Sequence, residues 1–166
     1  MRTRQWVAFA AQFAVALSVI LLSARTALAA DPIVGTWKLV SMVSEDLDTK
    51  ETKVILGEKP GGREIFTPEG RYIFLLTAEG RQATKTETDR ATAFSTMFAQ
   101  AGKYRVEGNK YILTVQLAKE PAVVGADVTY DVKIEGNRRT SIGPPARNPM
   151  NGHMTRAIVV WERESQ

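Results

Sequence analysis

A strict two-residue alternation is the feature of this chain that most restricts its fold. Over Asp127–Ile134, Val128, Tyr130, Val132 and Ile134 alternate with Asp127, Thr129, Asp131 and Lys133. Successive strand side chains point to opposite faces, so this pattern describes a strand with one buried and one wet face. Tyr111, Leu113, Val115 and Leu117 form a second such row, with Ile112 on the other face. Lys103–Glu107 forms a third, with Tyr104 and Val106 inward. Turn signals separate the rows. Gly108-Asn109 and Gly136-Asn137 tolerate the positive φ of tight hairpins, and Pro68-Glu69-Gly70 does similar work between Glu64–Thr67 and Arg71–Thr77. A run Thr155–Arg163 reads as a closing strand. Such spacing predicts an all-β antiparallel meander of eight to ten strands, and closure into an up-and-down barrel removes its edges.

One segment departs from period two. Phe94, Met97, Phe98 and Ala101 recur at helical spacing within Thr88–Gln100, which predicts one short amphipathic helix started by Thr88 or Asp89 and ended by Gly102. Leu56–Arg63 and Gly143–Gly152, rich in Gly and Pro, are expected to be irregular loops.

The N-terminus is a separate problem. Arg2 and Arg4 precede a 16-residue apolar run, Val7–Leu22, and Ala27-Leu28-Ala29 follows. That order predicts a secretory signal peptide cleaved after Ala29 rather than a membrane anchor, since the run is shorter than the roughly 20 residues of a spanning helix. The expected domains are a signal peptide, 1–29, and a barrel, 30–166, in the periplasm or outside the cell, without a stable membrane anchor after cleavage. No Cys is present, so neither a lipid-modified Cys nor a disulfide is available. Removing residues 1–29 takes Arg2, Arg4 and Arg25 and no acid. The 22 bases then fall to 19 against 18 acids, a net charge of +1. Without a net basic balance, nucleic acid is not an expected partner.

Val34-Gly35-Thr36-Trp37-Lys38-Leu39 resembles the first strand of the calycin superfamily, the lipocalins and fatty-acid-binding proteins. Further matches are Ile65-Phe66-Thr67-Pro68-Glu69-Gly70-Arg71-Tyr72, Ala91-Thr92-Ala93-Phe94, Ala101-Gly102-Lys103-Tyr104 and Trp161-Glu162-Arg163. In this order, over about residues 33–163, they resemble the bacterial lipocalin-like domain family. The resemblance implies a barrel closed by Gly35 and Trp37, with Trp161 structural and Arg163 or Arg156 stacking on a Trp as a cation–π lid. Two departures stand out. Val123 occupies a position often aromatic in the family. The Arg-x-Tyr pair by which fatty-acid-binding proteins grip a carboxylate falls on Val159 and Trp161, so that clamp does not carry over, although Arg156 lies nearby.

Alternation places Phe66, Tyr72, Phe74, Tyr104 and Tyr130 toward a barrel interior, where they line a ligand pocket or fill a core. Phe94 and Phe98, with Met97, are candidates for a lid over the mouth. His153, the only His, sits in a Gly-rich loop without a nucleophile motif, and an exposed loop His is expected. Glu45-Asp46-x-Asp48 reads as a solvated loop, and with one His and no Cys no zinc site is expected. No cofactor and no catalytic residue is expected, since neither a phosphate loop nor a Gly-x-Ser-x-Gly elbow occurs. The expected function is non-catalytic binding of a small hydrophobic ligand. An isomerase or cyclase on the same barrel, or an envelope interaction module with a filled interior, remains open, and oligomeric state is not encoded in any motif.

Overall fold

A computed structural model describes residues 31–148 and 151–165. The expected signal peptide lies outside the described residues. Asp31–Gln166 forms a compact unit. Its strands are β1 (Gly35–Asp46), β2 (Thr52–Val54), β3 (Gly61–Phe66), β4 (Arg71–Thr77), β5 (Met97–Glu107), β6 (Lys110–Ala118), β7 (Asp127–Glu135), β8 (Arg138–Ile142), β9 (Ala146–Arg147) and β10 (Met154–Arg163). A helix, α1 (Glu87–Ser95), links β4 to β5. Every pairing is antiparallel.

Eight strands, β1-β3-β4-β5-β6-β7-β8-β10, close a barrel because β10 returns to pair with β1, while β2 and β9 add short edges. The closing ladder runs from Trp37↔Arg163 to Asp46↔Thr155. The all-β barrel expected from alternation is therefore the fold.

The hairpins follow the turn chemistry. Gly70, Gly108 and Gly136 adopt φ of 78°, 63° and 59°, the left-handed region in which a Cβ is strained. Two bulges then reset which residues face inward. Between Leu39 and Ser41 the register to β10 slips by one, so Trp37, Leu39 and Met42, rather than an unbroken odd series, are buried. Between Ala101 and Gly102 the register to β6 slips as well: Gly102 opposes Val115, but Ala101 opposes Leu117. Leu117 is thus turned outward and is 69% exposed, which corrects the reading of one inward row from Tyr111 to Leu117.

The helix is shorter than expected and starts earlier. Thr86, not Thr88 or Asp89, is its cap: the Thr86 hydroxyl accepts from the Asp89 N–H at 3.1 Å, and the Asp89 carboxylate accepts from the Thr86 N–H at 2.9 Å. It ends at Ser95 and buries none of its residues. Met97, Phe98 and Ala101 belong to β5, where they pair with Thr77, Leu76 and Ile73. Ladder hydrogen bonds to β4 outweigh the helical spacing of these few apolar residues, a local preference that tertiary pairing overrides.

Candidate functional site: the barrel interior

One end of the barrel is a packed floor. Trp37 and Trp161 are buried, and the Trp37 indole N–H donates to the Ile33 carbonyl at 2.8 Å, drawing the segment before β1 across the end. Arg163, at the end of β10, lays its guanidinium over the Trp37 ring at 4.2 Å and donates to the carbonyls of Val34 (2.6 Å) and Pro32. Gly35 makes room for this lid: a Cβ there would lie 2.7 Å from Arg163 Nη1, at a φ of +133°. Of the two cationic partners considered for the Trp, Arg163 takes the position. Arg156 instead pairs with Glu45 at 2.5 Å, so the one arginine near the missing carboxylate clamp is already engaged.

Above the floor lies a pair that sequence reasoning missed. Arg139 and Glu64, fully buried, form an ion pair through Nη2 and Oε2. Rings surround the guanidinium: its centre lies 4.7 Å from the Trp37 centroid, 5.0 Å from Trp161, 5.1 Å from Phe66 and 5.7 Å from Tyr111. Such a box offsets part of the cost of removing a cation from water. Arg139 Nε and Nη1 have no acceptor. Burial pushes the Glu64 carboxyl above its usual range, against the opposing pull of Arg139. A signal for this pair was present. The short Gly136-Asn137 turn fixes Ile134↔Arg139, and directly opposed residues share a face, so Arg139 must point inward with Ile134. Glu64 likewise shares parity with buried Phe66.

The expected pocket aromatics sort into two groups. Phe66, Tyr72, Phe74, Tyr104 and Tyr130 come together inside the barrel, joined through Tyr111. Phe66 meets Tyr104 edge-on at 4.9 Å and Tyr111 at 5.6 Å, Tyr72 lies 6.3 Å from Phe74, and Tyr111 stacks on Tyr130 at 5.0 Å. Phe98, half-buried, packs against this core from β5. Phe94 stands apart: it is 54% exposed on α1, with the Lys119 ammonium 4.5 Å above its ring.

The phenols stay neutral. Burial pushes Tyr130 up to about 12 and also raises Tyr72 and Tyr111, each reinforced by the Glu64 charge. The Tyr104 hydroxyl donates to the Thr67 carbonyl at 2.8 Å, whereas the buried Tyr72 hydroxyl and Gln100 Oε1 have no partner. Neutral phenols act as hydrogen-bond donors rather than as bases. The interior is therefore apolar walls around a small polar centre.

At the opposite rim, β1 and β10 bring Asp46 and His153 together, Oδ2 to Nδ1, at 2.7 Å. His153 is thus an engaged residue, although its side chain keeps 42% of its exposure. Asp46, Asp48 and His153 place ligand atoms within 4.8 Å of one another, the one grouping among the described residues with the donor types for a divalent cation.

Residues 34–164 match the profile of a family described as a lipocalin-like domain. No curated protein matches the chain. Among solved structures, a lipocalin-like protein from Bacteroides uniformis is 11% identical, with 80% of this chain and 98% of that one covered and a TM-score of 0.42. An uncharacterized protein from Bacteroides eggerthii is 13% identical, with 80% and 99% covered and a TM-score of 0.41.

Proposed function

Because the chain belongs to the lipocalin-like domain family, we propose that it holds a small hydrophobic molecule inside its barrel and carries or senses it without chemistry. One observation carries this reading. Beyond the packed floor, the inward-facing Phe74, Phe98, Tyr130, Val132, Ile134 and Ala157 touch the buried core yet remain only half-buried. Inward apolar side chains that keep contact with solvent support a cup over a filled rod. A guest covering ~300 Å² of apolar surface there gains roughly 7 kcal/mol at about 25 cal/mol per Å², and immobilisation reduces this to micromolar binding. The unpartnered Tyr72 hydroxyl and the Arg139 N–H groups supply donors, so a guest with one acceptor group fits better than a pure hydrocarbon. The export expected from the N-terminus places this cup in the periplasm or outside the cell, as part of the same proposal.

The test is a comparison of native with denaturing mass spectra of gently purified protein, followed by displacement of an environment-sensitive dye. A reproducible mass released only on denaturation, or dye displaced by an extracted lipid, supports the carrier. Neither an adduct nor dye binding would leave a filled barrel acting through its surface. A second reading, an isomerase or cyclase, draws on buried Glu64 beside Tyr72, Tyr111 and Tyr130. Under that reading Glu64→Gln removes turnover of the captured molecule while leaving its binding. Under the carrier reading the molecule is recovered unchanged.

A further inference from the structure

The outer wall of the barrel carries a feature that ligand binding does not use. Outward positions of adjacent strands align as Ile65↔Ile73, Ile73↔Ala101 and Ala101↔Leu117, with Leu75↔Ala99 beside them. This makes an apolar row across β3, β4, β5 and β6. Ile65, Ile73, Leu75 and Leu117 are 39%, 53%, 50% and 69% exposed. The bulge at Ala101/Gly102 creates the row's largest element by turning Leu117 out.

The border of this patch is cationic. At one end Arg71 directly opposes Lys103 across the β4–β5 ladder, two like charges where opposed charges would stabilise. Both are exposed, and among the described residues neither meets a carboxylate at ion-pair distance. At the other end Lys119 continues the wall beside Ala99 and reaches the exposed Phe94 ring of α1. Between Arg71/Lys103 and Lys119 the outward positions carry no acid among the described residues. Residues 30–166 hold 19 bases against 18 acids, yet both ends of the exposed apolar wall carry cations.

We propose that this wall rests on an anionic lipid surface, with Ile73, Leu75 and Leu117 entering the headgroup region and Arg71, Lys103 and Lys119 meeting phosphates. Apolar side chains flanked by cations are what interfacial binding requires, and neither term alone suffices. Charge decides against a second copy as occupant. A self-complementary contact across this face would bring Arg71 and Lys103, neither with a carboxylate partner, against the same cations of the second copy, and buried unpaired charge is costly. Inward Tyr72 and Phe74 alternate with outward Ile73 and Leu75 on one strand, so the docked wall is also a wall of the cup.

The absence of Cys makes the test site-specific. Leu117→Cys, labelled with a polarity-sensitive fluorophore, reports on the patch. Arg138→Cys on β8, four strands from β4 and two from β6, reports on a face outside the patch. Because each label reads its own site, the full chain can be used, with its apolar N-terminal run present. With phosphatidylglycerol vesicles the label at 117 should shift to the blue, while the label at 138 should not. Phosphatidylcholine vesicles should leave both unchanged. Salt at about 1 M, where the screening length falls to about 3 Å, should reverse the shift. Arg71→Glu with Lys103→Glu should weaken partitioning roughly tenfold or more. The proposal fails if both labels respond alike, if neutral vesicles act as well, or if neither label responds. It also fails if the label at 117 shifts without vesicles as protein concentration rises, which would assign the face to a second copy.

Discussion

Glu64 on β3 and Arg139 on β8, 75 residues apart, meet as a fully buried ion pair inside the barrel. Neither strand is the other's neighbour, so the pair crosses the interior rather than a ladder. Its consequence is an asymmetric stability effect. Glu64→Leu leaves the guanidinium charged and uncompensated, and the expected loss is about 3–5 kcal/mol in urea denaturation. Adding Arg139→Met should recover most of that loss, since replacing both partners by apolar groups is often neutral. A double variant no more stable than the single one would show that the two side chains are not an energetic unit.

A second expectation concerns the β5 bulge. A Cβ at Gly102 would lie 2.1 Å from the Thr114 carbonyl oxygen and 3.0 Å from the Gln116 nitrogen, both backbone atoms that cannot rotate away. Gly102→Ala should therefore cost about 3 kcal/mol, at or beyond the upper range for overpacking. Gly108→Ala meets nothing within 4 Å and carries only the strain of its positive φ, about 1 kcal/mol. Equal losses in the two variants would contradict the close approach at Gly102.

The rim pair titrates. The Asp46 carboxylate, by hydrogen bond and by charge, raises His153 above its ordinary value of 6.5. Asp46 is held low by the Thr49 N–H first and by His153 second. A histidine raised in the folded state contributes stability that is fully present below about pH 6.5 and is lost as pH rises through its folded value. The single imidazole should titrate above 6.5 by NMR, and Asp46→Asn should return it toward 6.5. The Tm of the native protein should fall with rising pH across that window relative to His153→Gln. Identical pH profiles would mean that the contact contributes nothing in solution.

Val132 and Phe94 separate cup from periphery. Under the proposed carrier function, enlarging Val132, half-buried and inward on β7, fills the binding space, whereas Phe94 is 54% exposed on α1. Val132→Trp should abolish dye binding, and Phe94→Ala should leave it within about twofold, since truncating a largely exposed ring changes little. Loss of binding in Phe94→Ala alone would move the site to the helix.

Local order was legible from the chain alone because its causes are local. The alternation of Val128 to Ile134 needs only the pleat, and the Gly-Asn turns need only their φ preferences. The inward set Phe66, Tyr72, Phe74, Tyr104 and Tyr130 follows from that parity, whereas the Gly35–Trp37 floor was implied by the resemblance to the lipocalin-like family. Tertiary structure decided what depends on a partner strand. Leu117 faces outward because β5 and β6 slip by one residue. Met97 and Phe98 leave the helix because β4 offers them a ladder. His153 finds Asp46 only because β10 closes on β1. Glu64 and Arg139, each an ordinary polar residue in its own strand, become a buried pair only once eight strands enclose them. A period of two carries the face of each residue between bulges, but it carries neither the bulges nor the residue that waits across the barrel.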